Sequence, residues 1–130
     1  MYYISIHGDP KVFYPWISGF SWEIGEGEGE GYNLNLPLDS GTTWKEYSKT
    51  LEKALSELED FEPEVLLISM GFDTHKEDPL GKFELDDEDF YRMGSMIAQL
   101  DIPKLIVQEG GYNPKACGRA AIRFFTGLSR

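Results

Sequence analysis

The sequence predicts an α/β fold with a short, mostly parallel sheet, and two observations carry that prediction. First, the apolar runs at residues 2–6, 65–69 and 104–107 are continuous rather than alternating, which is typical of parallel strands covered on both faces. Second, amphipathic helical patterns follow these runs, giving the order strand, long loop, helix, strand, loop, helix, strand, helix. In such folds, ligands bind beyond the carboxyl ends of the strands.

Each predicted helix has a recognisable first residue. The first helix begins at Thr43, which is placed to form a capping box with the glutamate three residues later. The second begins at Asp86 or Asp87. The third has Asn113 as its N-cap and Pro114 at its first helical position, where a missing backbone N–H costs nothing.

Size and composition favour one globular domain spanning residues 1–130. The net charge of −11 argues against nucleic acid as a partner and favours cationic substrates such as polyamines or lysine-rich tails, although such acidity is also common in globular proteins generally. The single cysteine, Cys117, excludes an intramolecular disulfide and a thiolate zinc cluster. Neither a signal peptide nor a membrane span is recognisable, so we predict a cytoplasmic location.

The segment from residue 18 to residue 38 is predicted to be a long loop. Between Glu23 and Gly31 it alternates glutamate with glycine, which superficially resembles a phosphate-binding loop. Its four glutamates would repel phosphate, and the run does not join a strand directly to a helix. We therefore interpret it as a solvated turn region.

Two candidate ligands follow the second predicted strand. Asp73 is a carboxylate at a strand end, where it could bind a metal or cap a turn. His75 lies two residues later and would share the face of Asp73 only if the chain stayed extended. The pattern alone leaves both alternatives open.

Polar groups also follow the other two strands. Tyr112 comes after Gly110 and Gly111, and its phenol could donate a hydrogen bond to a substrate oxyanion or simply pack over the helix start. Glu109 could be a second polar group there. His7 ends the first strand, where a histidine more often satisfies backbone groups than performs catalysis. No base is identifiable for a serine or cysteine nucleophile.

Four segments together resemble the zinc-dependent histone deacetylase and acetylpolyamine amidohydrolase family. They are "ISIHGDPKVFYPWISGF", "EIGEGEGEGYNLNLPL", "SMGFDTHKEDPLGKF" and "VQEGGYN", in the family's order and across almost the whole chain. The "EGGY" and "HGDP" variants favour the bacterial acetylpolyamine branch. The resemblance implies a three-layer α/β/α arrangement that corresponds to the C-terminal half of the arginase-deacetylase fold.

The resemblance also assigns roles to residues. It implies that Asp73 is a zinc ligand and that Tyr112 is the catalytic phenol that polarises the scissile carbonyl, whereas His75 matches no ligand. The other matching positions are substrate-binding Tyr14, Leu80 and Gly111, and the potassium-site positions Ser5 and Tyr32.

The family's remaining groups are not found in this chain. Its two other zinc ligands and its tandem histidine pair lie upstream of the matched segments, whereas this chain has only His7 and His75. Because a catalytic zinc has three protein ligands, we expect the chain alone to bind no stoichiometric zinc and to be inactive.

Three functions remain open. Of these, we predict that the chain is a catalytically silent homo-oligomer, in which a second copy, as in a dimer, replaces the missing half. It could be a deacetylase of acetyl-lysine or acetylpolyamine, completed by a separate N-terminal half or across a dimer interface. It could also be a module that binds acetylated amines without hydrolysing them.

Overall fold

The computed structural model describes residues 1–129, which form an alternating series of strands and helices. The elements in chain order are β1 (Tyr3–Gly8), a short 3-10 turn (Gly27–Gly29), β2 (Asn33–Leu38), α1 (Trp44–Phe61), β3 (Leu66–Met70), α2 (Asp87–Ala98), β4 (Lys104–Gln108) and α3 (Pro114–Leu128). Within this described part, no helix is long and apolar enough to cross a membrane.

The strands form two parallel pairs. β1 pairs with β2, and β3 pairs with β4 in a register that places Leu67 opposite Leu105. Among residues 1–129, no ladder joins one pair to the other. The predicted α/β class with parallel strands is therefore confirmed, but the strands do not form one continuous sheet.

Strand β2 corrects the prediction that residues 18–38 are all loop. Asn33, Asn35 and Pro37 occupy alternate positions of β2, and asparagine and proline are both poor strand formers. The asparagines are accommodated because the side-chain amide of Asn35 donates to the Phe20 carbonyl at 3.1 Å, while that of Asn33 donates to the Glu23 carbonyl. Contacts with the preceding loop thus override the local propensity.

The helix starts agree with the predictions. Thr43 and Glu46 form the capping box of α1. Asp86 caps α2 by accepting hydrogen bonds from two backbone N–H groups of the first turn. Asn113 caps α3 in the same way, with Pro114 at the first position. These local signals succeed because the cap and its partners lie within three residues of each other.

The core lies on one face of the β3–β4 pair. Leu66, Ile68 and Ile106 pack there against a cluster that includes Phe90 of α2 and Phe124 of α3. The opposite face is open, since Leu67, Leu105 and Val107 are 61%, 59% and 49% exposed. The prediction that the strands are covered on both faces is wrong for this pair within residues 1–129.

Candidate functional site

The Asp73 carboxylate lies just beyond the carboxyl end of β3, between two glycines. The backbone continues the β3–β4 pairing past the strands, because the Phe72 N–H donates to the Gly110 carbonyl at 2.7 Å. A Cβ on Gly71 would lie 2.9 Å from Asp73 Oδ1, and one on Gly110 would overlap the carboxylate. Glycine at both positions leaves the space that this carboxylate occupies.

The environment of Asp73 disfavours its negative charge. Burial raises the pKa of the Asp73 carboxyl, the Asp73 backbone N–H partly opposes that rise, and the nearby carboxylates of Asp78 and Glu109 add to it. Burial, together with the charge of Asp73, also raises the pKa of Tyr47 to about 12. A cation beside Asp73 would relieve this electrostatic cost.

Replacing Asp73 with asparagine is expected to stabilise the metal-free chain at pH 7. The folded state binds the Asp73 proton more tightly than the unfolded state, so the wild-type free energy of unfolding falls as pH rises from about 3.8 through the raised pKa. Asp73→Asn removes the titrating carboxyl and therefore this pH-dependent loss of stability. Thermal unfolding in a chelator should show a midpoint a few degrees above wild type at pH 7, with the difference vanishing toward pH 4.

The matched control is Asp101→Asn, which changes an exposed carboxylate after α2 and should leave the midpoint at its wild-type value at each pH. A destabilised Asp73→Asn chain at pH 7, or a difference that does not depend on pH, would contradict this account of the buried charge.

His75 is a structural brace and is not paired with Asp73. Its ring is 1% exposed, its Nδ1 accepts from the Glu77 N–H at 3.1 Å, and its Nε2 donates to Asp87 Oδ1 at 3.0 Å. The ring also stacks on Phe90 of α2. With both nitrogens hydrogen-bonded, His75 connects the loop after β3 to α2 and is not available as a metal ligand.

Tyr112 lies beyond the end of β4, close to the loop that carries Asp73. Gly111, which precedes it, has a φ of 138°, and glycine suits this turn of the chain. The Tyr112 backbone N–H donates to Asp78 Oδ2 at 2.7 Å. Its side chain is 55% exposed, and within residues 1–129 its hydroxyl has no hydrogen-bond partner. The phenol is therefore free to donate to a ligand.

The two channel residues implied by the resemblance, Tyr14 and Leu80, are both exposed. Tyr14 lines an open groove of about 750 Å³ beside β1 and β2. Phe13, its neighbour, packs edge-on against Phe83 at 6.0 Å between ring centroids, which connects the loop after β1 to the loop that carries Leu80. The structure thus links the two loops through their neighbouring phenylalanines.

The predicted potassium-site positions have different surroundings. The Ser5 hydroxyl lies 2.7 Å from His7 Nδ1, and His7 Nε2 donates to the Gly19 carbonyl at 2.7 Å. His7 therefore forms a hydrogen bond with a backbone carbonyl, which is a more common role for a histidine at a strand end than catalysis. Tyr32 packs edge-on against Tyr2 at 6.3 Å. Ser5 and Tyr32 lie on adjacent segments at β1 and β2, but their contacts do not define a cation cage.

Asp78 is a site residue that the sequence reasoning did not single out. It is 8% exposed, and its carboxylate accepts backbone hydrogen bonds from Leu80, Gly81 and Tyr112. The available signal was the "DPLG" segment, because aspartate before proline commonly accepts from the amides of the following turn. That signal predicts the local turn, but it does not reveal the partner 34 residues away.

The described residues do not by themselves form a zinc site. Among residues 1–129, no three histidine, cysteine, aspartate or glutamate side chains converge on a common position. Asp73 is thus a single carboxylate in a space shaped by glycines, whereas catalytic zinc takes three protein ligands. A zinc site with three protein ligands would therefore need ligands from outside the described residues.

Comparisons with known proteins agree on one family. The histone deacetylase domain family matches residues 1–128. Acetylpolyamine amidohydrolase 1 of Pseudomonas aeruginosa is 46% identical over 125 residues, covering 96% of this chain and 36% of that protein. A probable deacetylase of Methanothermobacter thermautotrophicus is 46% identical over 127 residues, covering 97% of this chain and 38% of that protein.

A solved structure gives the same answer for the fold. The crystal structure of acetylpolyamine aminohydrolase from Burkholderia pseudomallei superposes with a TM-score of 0.95 at 42% sequence identity. The match covers 98% of this chain and 37% of that one. The chain therefore spans little more than a third of the length of these three relatives.

Proposed function

The chain belongs to the histone deacetylase family, and we propose that it is one part of an amide-hydrolysing deacetylase domain whose other residues come from further polypeptide. One observation supports this proposal most strongly: a carboxylate and a phenol lie beyond the ends of two adjacent strands. Asp73 and Tyr112 follow β3 and β4, and Asp78 accepts the Tyr112 N–H while raising the pKa of Asp73. A carboxylate that favours a nearby cation and a free phenol therefore lie at one edge of the sheet.

In the assembled domain, each group has a role that follows from its chemistry. The Tyr112 hydroxyl donates to the acyl carbonyl oxygen, and this hydrogen bond strengthens as negative charge develops there. Asp73 would be one ligand of a zinc ion, with the other ligands supplied by further polypeptide, and the ion would polarise the same carbonyl. Tyr14 and Leu80 border the path of an acyl-lysine or acylated polyamine, and the net charge of −11 favours such cationic amines.

A turnover assay tests this proposal. The chain alone is compared with a fusion protein in which it follows the residues that precede the matched region in the Burkholderia pseudomallei acetylpolyamine aminohydrolase. Fluorogenic acetyl-lysine and acetylated polyamines serve as substrates, with zinc added. We expect turnover by the fusion protein and none by the chain alone. A folded fusion protein with no turnover on either substrate would contradict the proposal.

The further polypeptide also explains the open face of the β3–β4 pair. Parallel strands are normally covered on both faces, yet Leu67, Leu105 and Val107 are exposed. The superposed relative contains the same elements within a chain more than twice as long. We therefore assign this face, formed by Leu67, Leu105 and Val107, to packing against the additional part of the domain.

Leu105→Glu is expected to weaken that association at least tenfold. A charge placed on a buried apolar interface must be desolvated without a partner, whereas in the chain alone the position is exposed and the change costs little. The dissociation constant is measured by calorimetry, using the separately expressed preceding segment of the Burkholderia pseudomallei enzyme. Ile122→Glu, on an exposed position of α3, is the matched control.

Two results would contradict the assignment of this face. One is unchanged affinity of the Leu105→Glu chain for the preceding segment. The other is a homodimer of the chain, measured by light scattering, that Leu105→Glu converts to monomer, since this would show that a second copy covers the face. The cytoplasmic location remains a prediction from the sequence.

A further inference from the structure

The buried carboxylate of Asp78 connects the loop after β3 to the loop after β4. Its Oδ1 accepts from the backbone N–H groups of Leu80 and Gly81, both at 2.9 Å, and its Oδ2 accepts from the Tyr112 N–H at 2.7 Å. We propose that Asp78 is a positioning residue, which holds the Tyr112 phenol in a fixed position relative to Leu80 at the edge of the substrate channel. This proposal rests on the proposed function.

Asp78 bridges the two loops because each of its two carboxylate oxygens accepts hydrogen bonds from a different loop. One oxygen closes the turn that carries Leu80, and the other reaches 34 positions along the chain to Tyr112. Although burial raises the pKa of Asp78, these backbone N–H groups lower it more, so the carboxylate stays ionised and acts only as an acceptor. Hydrogen bonds to an ionised acceptor are stronger than neutral ones.

The same turn is packed directly against the backbone of the candidate metal ligand. A Cβ on Gly81 would overlap the carbonyl oxygen of Asp73, so only glycine fits at this position. Asp78 therefore fixes Tyr112 relative to a turn that is itself in contact with Asp73. One side chain thus contacts both the turn that packs against the candidate ligand and the backbone of the phenol.

One backbone hydrogen bond, from the Phe72 N–H to the Gly110 carbonyl at 2.7 Å, also joins these loops, but it ends two residues before Tyr112. The side-chain links are more exposed than Asp78. The Asn113 side-chain amide donates to the Glu77 carbonyl at 3.0 Å, and Arg119 pairs with the Glu77 carboxylate at 2.8 Å, both at exposed positions. Exposed pairs of this kind contribute little. Within residues 1–129, the bond to Asp78 is the one hydrogen bond made by Tyr112, and the two glycines before Tyr112 do not restrain it.

The first test measures hydrogen exchange in the chain itself. Asp78→Asn keeps the shape of the side chain but has a single accepting oxygen, which cannot serve both loops. With that oxygen retained by the two amides of the turn, the Tyr112 amide should exchange at least tenfold faster, while the Gly81 amide stays protected. Asp101→Asn is the matched control. Unchanged exchange at Tyr112 would overturn the proposal.

Should Asp78→Asn unfold the chain, the wild-type chain alone still provides a test. In the wild-type chain, the Tyr112 amide should exchange its hydrogen as slowly as the Gly81 amide, because both donate to Asp78. Fast exchange at Tyr112 would overturn the proposal.

The second test asks whether the bridge serves turnover. In the fusion protein, Asp78→Asn should lower kcat about tenfold and leave KM nearly unchanged, yet cause no further loss when Tyr112 is already phenylalanine. Additive losses would mean that Asp78 does not act through Tyr112. If the wild-type fusion protein is inactive, the proposed function is contradicted. The role of Asp78 is then still tested by hydrogen exchange in the chain alone.

Discussion

Tyr112→Phe in the fusion protein is expected to lower kcat by about 10²–10³-fold, the loss that follows removal of one preorganised donor to a developing oxyanion. The phenol is half exposed beyond β4, and its backbone is held by Asp78 at 2.7 Å. Because the hydrogen bond strengthens as charge develops on the carbonyl oxygen, the loss should fall on kcat and leave KM almost unchanged. Steady-state kinetics with an acetylated polyamine measure both constants.

The isolated chain provides the control for Tyr112→Phe. Within residues 1–129, the Tyr112 hydroxyl has no hydrogen-bond partner, so its removal should leave the thermal midpoint of the chain unchanged. A large rise in KM with unchanged kcat would show that the phenol binds substrate without stabilising the transition state. A lowered midpoint would show that the hydroxyl is structural.

Phe90→Ala is expected to destabilise the chain by about 3–5 kcal/mol, the usual cost of removing a buried aromatic side chain. Phe90 has no exposed surface and packs against Phe72 at 5.6 Å and His75 at 6.0 Å between ring centroids. It thus joins α2 to the segment that carries Asp73. Since whole domains are stable by roughly 5–15 kcal/mol, this one change removes much of the stability.

Urea unfolding followed by circular dichroism measures the effect of Phe90→Ala. Phe125→Ala is the matched control, because Phe125 is exposed on the outer side of α3 and its removal should cost much less. Equal losses for the two variants would contradict the core described around Phe90.

The sequence predicts best those features whose determinants are close together in the chain. The capping box at Thr43 and the N-caps at Asp86 and Asn113 each involve partners within three residues, and the helix starts follow from them. The α/β class follows from the alternation of apolar runs with amphipathic helices. Asp73 and Tyr112 could be singled out because parallel strands of one sheet end at the same edge.

Features that depend on distant contacts were not predictable. Strand β2 contains residues with poor strand propensity and forms through pairing with β1 and through side-chain hydrogen bonds to the preceding loop. The brace from His75 to Asp87 and the bridge from Asp78 to Tyr112 span 12 and 34 positions. The open face of β3–β4 was not predictable either, because a continuous apolar run does not show whether one face or both are covered within the chain.

Zinc titration by calorimetry tests the central claim most directly, because that claim concerns which part of a metal site this chain supplies. We predict no stoichiometric zinc binding by the chain alone, one zinc per molecule of the fusion protein, and much weaker binding by the Asp73→Asn fusion protein. One tightly bound zinc per isolated chain, or unchanged zinc affinity after Asp73→Asn, would contradict the account.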